Sequence, residues 1–285
     1  VLTSVGGRNP QPIASRQWSA GFLPSRYQGV EFSGSGQPVN YVDAPEGIQG
    51  RQQQRLIETI GQLNQHRLKS TGDPEIETRL ANYEMAFRMQ TSVPDLADVS
   101  DEPQHVLDMY GGKPGDGSYA SNCLLARRLA ERGVRFIQLY HRGWDHHGGL
   151  EKYMDICCGL TDRATWALLT DLKQRDMLKD TLIIWGGEFG RTPTAQKGNN
   201  EVGRDHHPDG FTMWMAGGGV RAGLTYGATD EFGYNLTEDP VHVHDFQATL
   251  MHLLGIDHER LTFKHQGRRY RLTDVHGSVV KEILS

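Results

Sequence analysis

The chain has 285 residues, with 30 Lys and Arg against 35 Asp and Glu and a formal net charge of −5 at pH 7. That length can bury a sizeable core, and the mild, mixed charge with no polybasic run argues against a nucleic-acid surface. No apolar run approaches the roughly 20 residues of a membrane-spanning helix.

In chain order, residues 1–47 are rich in Gly, Pro, Ser and Gln and read as irregular surface chain. Pro10, Pro12, Pro24, Pro38 and Pro45 forbid a long helix there. Trp18, Phe22, Tyr27, Phe32 and Tyr41 supply anchors that a solvating tail would lack. Residues 48–92 predict an inserted helical hairpin. Its first helix, Arg51 to Lys69, carries the stripe Leu56, Ile60 and Leu63; its second opens on Asp73-Pro74-Glu75 and carries Ile76, Leu80, Tyr83, Ala86 and Phe87.

After a turn-rich connector, residues 117–285 predict the core sheet of a single α/β domain. Ser118 to Glu131 reads as a helix ended by Gly133, leading into a β-rich run, Val134 to Tyr140. Glu151 to Leu178 reads as a crossover helix, and Thr181 to Trp185 as a second apolar strand. Phe211 to Ala216 predicts a further strand closed by three glycines, and Arg221 to Tyr234 a hairpin or short strand pair. A helix follows from Asp245, read as its N-cap, to Leu254, with a short helix expected over 277–284. Of the three cysteines, Cys157 and Cys158 are adjacent and fall in the helical pattern, where buried thiols rather than a disulfide framework are expected; the third is Cys123.

The chemistry concentrates around those strands. Eleven of thirteen histidines lie at or after His141. Asp145-His146-His147 follows the first β-rich run, with Gly148-Gly149 leaving the backbone free to bend. Glu188 and Arg191 follow the second run, and Arg204-Asp205-His206-His207 repeats the mixed chemistry in what reads as a short loop. If both runs are parallel strands joined by a crossover helix, their carboxyl ends share one edge of the sheet, where open α/β sheets bind ligands.

Imidazole with carboxylate suits a transition-type divalent ion, so Asp145, His147, Glu188 and one of His206 and His207 are candidate ligands. If the second His-His pair is extended, its two rings point to opposite sides. The other member of each pair, His146 in the first, then becomes a substrate contact or supporting partner, and Asp205 a ligand, a substrate contact or a supporting partner. Arg191 and Arg204 are fork donors suited to an oxyanion. A Glu188–Arg191 ion pair, and structural ion pairing among the Asp, His and Arg residues generally, stand beside the metal reading. No P-loop, nucleophile elbow or C-x-x-C pair is present.

The runs GWDHHGG (143–149), KDTLIIWGGEFGRTP (179–193), GRDHHPDGFTMWMAGGG (203–219), VHDFQATLMHLLGID (243–257) and RLTDVHG (271–277) together resemble the DUF1501 family over nearly the whole chain. That family is described as sulfatase-like and placed in the alkaline-phosphatase-like superfamily. The resemblance implies a three-layer α/β/α sandwich with a mixed, largely parallel sheet. It also implies a site of one or two divalent metal ions, with zinc, manganese or calcium the candidates. Asp145 and His147 look like the Asp/His pair of one metal site, and His206 or His207 like its later histidine.

Glu188 is similar in position to the acid of the second metal site, but Phe189 stands where that pattern has histidine. The implied activity is hydrolysis of a sulfate or phosphate ester, on a small molecule or glycan, in an exported or periplasmic protein. The family's N-terminal segment, with its nucleophile, is not found, so the chain is expected to be the C-terminal part of a longer protein. The alternatives are a non-catalytic binding or scaffold protein that keeps the fold, or an inactive fragment.

Overall fold

The computed structural model describes residues 1–7, 13–21, 23, 27–33, 39, 51–72, 76, 93–198 and 201–285. The architecture is mixed α/β with small sheets. It divides into two compact units: Val1–Trp144 with Tyr153–Asp171, and Asp145–Lys152 with Leu172–Ser285.

The first unit is built on a parallel sheet in the order β2-β1-β3, where β1 is Leu2–Thr3, β2 Phe32–Ser33 and β3 Leu139–Tyr140. Among the described residues only the end of the expected Val134–Tyr140 strand is paired, opposite the two residues of β1, with Leu2 N bonded to Gln138 O and Ser4 N to Tyr140 O. Upstream of that ladder Val134 and Phe136 are exposed.

Helix α1 spans Arg51–Thr71, and the second helix of the expected hairpin lies outside the described residues, apart from Ile76. Leu56 and Leu63 of the expected stripe are exposed. Helix α2 spans Gln104–Tyr110 and α3 Tyr119–Glu131. Helix α3 starts one residue after the expected Ser118, which is its N-cap: Ser118 Oγ accepts from Ser121 N, satisfying one of the donors that a helix start leaves unpaired.

The core of this unit joins Val106 and Tyr110 of α2 with Tyr119, Ala120, Cys123 and Leu124 of α3 and Ala164 and Ala167 of the next helix. A neighbouring cluster packs Leu2 of β1 against Leu96, Ala126 and Leu129. Each fully buried leucine contributes about 1.5–3 kcal/mol. Within this core α3 buries two arginines. Arg127 pairs with Glu102 (2.5 Å), Glu131 (2.7 Å) and Asp171 (2.9 Å), and Arg128 pairs with Glu102 (2.5 Å) and Asp101 (2.9 Å).

Helix α4 spans Leu150–Gln174, shorter at its end than the sequence pattern suggests, and a separate 3₁₀ turn covers Leu178–Asp180. In the second unit β4 (Ile183–Trp185) pairs antiparallel with β7 (Trp214–Ala216), the paired part of each expected strand. The two apolar runs flanking α4 therefore belong to different sheets, so they do not form the parallel pair with a shared edge.

Between them in sequence, β5 (Gly190–Gly198) and β6 (Glu201–His207) form an antiparallel hairpin. The segment read as a loop around Asp205 is thus a strand. Its register breaks between Arg191 and Ala195. Pro193 falls inside that break, where its missing N–H removes no ladder bond.

Strands β8 (Ala228–Thr229) and β9 (Leu236–Glu238) pair antiparallel; β8 falls within the hairpin expected over Arg221 to Tyr234, and its partner lies beyond that range. Helix α5 spans Val243–Leu253, and its N-cap is His242, not Asp245. Asp245 instead closes a capping box from inside the helix: its Oδ2 accepts from His242 N, while His242 Nδ1 accepts from His244 N. Strands β10 (Thr262–His265) and β11 (Arg268–Arg271) pair antiparallel. The short C-terminal helix is confined to a 3₁₀ turn at Lys281–Ile283.

Candidate metal centre

The β5–β6 hairpin and the segment Asp145–Gly149 build one site. Gly149 turns the segment in the left-handed region at φ +64°, and His147 N bonds back to Asp145 O. Strand β6 lies directly against this segment, with Arg204 N donating to His146 O at 2.9 Å. Gly203 permits that approach, because a Cβ there would lie 2.1 Å from the His147 carbonyl carbon.

Asp145 Oδ1 is the focus. It receives Arg191 Nη1 at 2.5 Å and lies 2.9 Å from His147 Nε2 and 3.0 Å from His206 Nε2. The two imidazole Nε2 atoms are 3.1 Å apart. Among the described residues this is the one group of three or more His, Cys, Asp or Glu side chains whose ligand atoms all converge within 4.8 Å. The Asp145, His147 and His206 side chains keep 30%, 40% and 43% exposure, so the cluster is open to solvent.

Partial burial acts to raise the Asp145 pKa. Hydrogen bonds from His206 and Arg191, with the charges of Arg191 and His147, outweigh it and hold the carboxyl below its ordinary value. Asp145 is therefore an anion held ready, not a protonated acid.

Two further side chains shape the cluster. Phe189 lies with its ring centroid 4.3 Å from that of His206 and 5.6 Å from Arg191 Cζ, walling both. Gln196 places Oε1 2.7 Å from His147 Nδ1, the ring nitrogen facing away from Asp145. Nothing in the sequence singled out Gln196, a polar residue on a strand interrupted by Pro193. Gly203 was likewise missed, since close backbone approach leaves no spacing signal.

The other predicted site residues lie elsewhere. His207, next to His206 on an extended strand, faces the opposite side; it is buried, and its Nε2 donates to Tyr234 O at 2.7 Å. His146 is buried and is not among the three converging donors. Glu188 is exposed and outside the cluster. The considered Glu188–Arg191 pair gives way to Arg191–Asp145. Arg204 directs its guanidinium to Pro193 O across the register break. Asp205 is exposed, with Oδ1 accepting from His206 N. Arg204 therefore braces the hairpin, and the Asp205 carboxylate caps the neighbouring main-chain N–H.

Residues 1–284 match the family described as "Protein of unknown function (DUF1501)". The chain belongs to the DUF1501 family. No curated protein and no solved structure matches it.

The donor set of this DUF1501 chain fits a divalent ion. Ligand atoms about 2.0–2.1 Å from a common ion are separated by about 3.0 Å in octahedral and 3.4 Å in tetrahedral arrangement. The three observed separations, 2.9, 3.0 and 3.1 Å, lie at the octahedral end.

Proposed function

We propose that Asp145, His147 and His206 hold a divalent metal ion, and that the site serves hydrolysis of a sulfate or phosphate ester. The observation that carries this reading is the convergence of two imidazoles and a carboxylate on a triangle about 3 Å on edge. Two imidazoles with one carboxylate favour zinc, manganese or iron. Calcium, which takes oxygen ligands, suits this donor set least.

When bound, such an ion supplies Lewis acidity and lowers the pKa of a coordinated water. The protein's own groups would do the rest. Asp145 carries the negative charge that attracts the cation, with Arg191 fixing the carboxylate oxygen. The remaining N–H groups of Arg191 are suited to an incoming sulfate or phosphate oxygen. Phe189 flattens one wall and restricts the rotation of His206. The reading includes the sulfatase-like superfamily and its three-layer sandwich, supported by the parallel β2-β1-β3 sheet and the helices packed in its unit.

A second reading rests on the Arg191–Asp145 pair itself: the cluster is a structural ion pair that pins the hairpin to the Asp145 segment. Elemental analysis of the purified chain separates the two. Stoichiometric metal that is lost in Asp145→Ala supports the metal site, and turnover of aryl sulfate or phosphate esters that falls with the metal supports the hydrolase. Absence of metal after loading and dialysis supports the ion pair.

A further inference from the structure

We infer that Gln196 is a positioning residue that holds the neutral His147 ring in the tautomer whose Nε2 lone pair faces Asp145 and His206, ready for a cation. This rests on the metal-site reading above. The Gln196 side-chain oxygen lies 2.7 Å from His147 Nδ1. An amide oxygen only accepts, so the proton of a neutral His147 ring resides on Nδ1 and the lone pair on Nε2. That Nε2 lies 2.9 Å from Asp145 Oδ1. Lone pair then faces an anionic oxygen at hydrogen-bond distance, an arrangement that is repulsive until a positive charge lies between them. A proton that charges the ring meets that requirement at low pH, and above the imidazole titration range a metal ion does.

The hairpin register explains how Gln196 arrives there. Gln196 pairs across the strands with Gly203, and side chains of such a pair share a face. Gly203 contributes no side chain, and its bare Cα is where the His147 backbone packs. With the His147 backbone packed there, the Gln196 side chain meets the far nitrogen of the His147 ring. His206, on the partner strand β6, approaches the near nitrogen. One hairpin thus holds both ring nitrogens. A histidine that donates one N–H to a fixed acceptor is oriented, and made more basic, at the nitrogen that binds metal.

The test joins two readouts on the intact chain. Nitrogen–proton correlation spectra of ¹⁵N-labelled, metal-free protein, above the imidazole titration range, report the His147 tautomer, assigned by the signals lost in His147→Asn. Zinc titration by calorimetry reports affinity. The expected result is an Nδ1–H tautomer in the wild type. Gln196→Leu should shift the ring toward Nε2–H and weaken zinc binding by about 10- to 100-fold, while Gln196→Glu, which keeps an acceptor, should restore both. An Nε2–H tautomer in the wild type would overturn the inference, as would an unchanged tautomer in Gln196→Leu. If the tautomer shifts as stated but no variant, nor the wild type, binds zinc, the role of Gln196 stands and the metal reading fails.

Discussion

Gly203 and His147 share a space that admits only one of a side chain and a backbone: a methyl group on residue 203 would lie 2.1 Å from the His147 carbonyl carbon and 2.3 Å from its oxygen. Both atoms are main chain, so neither can swing aside. Gly203→Ala must lift the Asp145–Gly149 segment off β6 and break the Arg204 N–His146 O bond. The expected cost is about 1–3 kcal/mol in denaturant unfolding, as for overpacking a filled site, with a parallel loss of metal affinity. Gly159, in the middle of α4, meets nothing within 4 Å and is the control. Gly159→Ala is expected to be stabilising by about 0.5–1 kcal/mol.

Arg191 governs the charge of Asp145. Removing it in Arg191→Ala leaves partial burial, which acts to raise the Asp145 pKa, opposed by fewer stabilising partners. The carboxyl should move toward its ordinary value, visible by carbon-detected titration of the metal-free protein. Inhibition by inorganic sulfate or phosphate should weaken in the same variant, and Arg191→Lys should restore charge but not the two-pronged grip.

Glu102 is the hinge of a buried charge network. Its side chain is 3% exposed and pairs with both Arg127 and Arg128. Burial alone would raise its pKa, but hydrogen bonds from the two guanidinium groups hold the carboxyl below its ordinary value. The folded-state pKa is thus depressed. Its stabilising contribution is complete above the unfolded value of about 4.3 and is lost as pH falls through the folded value. Glu102→Ala removes the carboxylate that two buried arginines share, leaving Arg127 with Glu131 and Asp171 and Arg128 with Asp101, and should cost about 1–3 kcal/mol at neutral pH. Its acid unfolding curve should be flatter than the wild type's across that range.

The thiols offer a probe of the first unit. Cys123 is fully buried, and burial pushes its pKa up to about 12. Cys157 is also fully buried, with its pKa raised, while Cys158 is half-buried. Under native conditions a thiolate-seeking reagent should label Cys158 first. Labelling of Cys123 should follow the rate of unfolding, measured by quenched mass spectrometry.

Much of this was legible in the chain. The helix ending at Glu131 and the end of the apolar strand at Trp185 follow from local rules, because apolar periodicity and glycine stops act over a few residues. Strand length did not follow: among the described residues Val134 to Tyr140 pairs only over Leu139–Tyr140, and the extent of a ladder is set by a partner distant in sequence. The sheet partners of the two apolar runs did not follow either, since pairing is a long-range choice. For the site, residue type pointed to Asp145, His147 and the His206/His207 pair, and the alternation of an extended strand separates His206 from His207. Glu188 was selected by position after a strand, yet its side chain is exposed, and Gln196 carried no signal at all. Its role exists only through the Gln196–Gly203 register, which no local pattern encodes.

The most direct measurement is the metal content of the purified chain after loading with zinc or manganese and dialysis, compared across Asp145→Ala, His206→Ala and Glu188→Ala. The expected result is about one equivalent in the wild type, lost in Asp145→Ala and His206→Ala and retained in Glu188→Ala. A wild type that retains no metal would contradict the proposed site and leave the Arg191–Asp145 ion pair as the reason these residues meet.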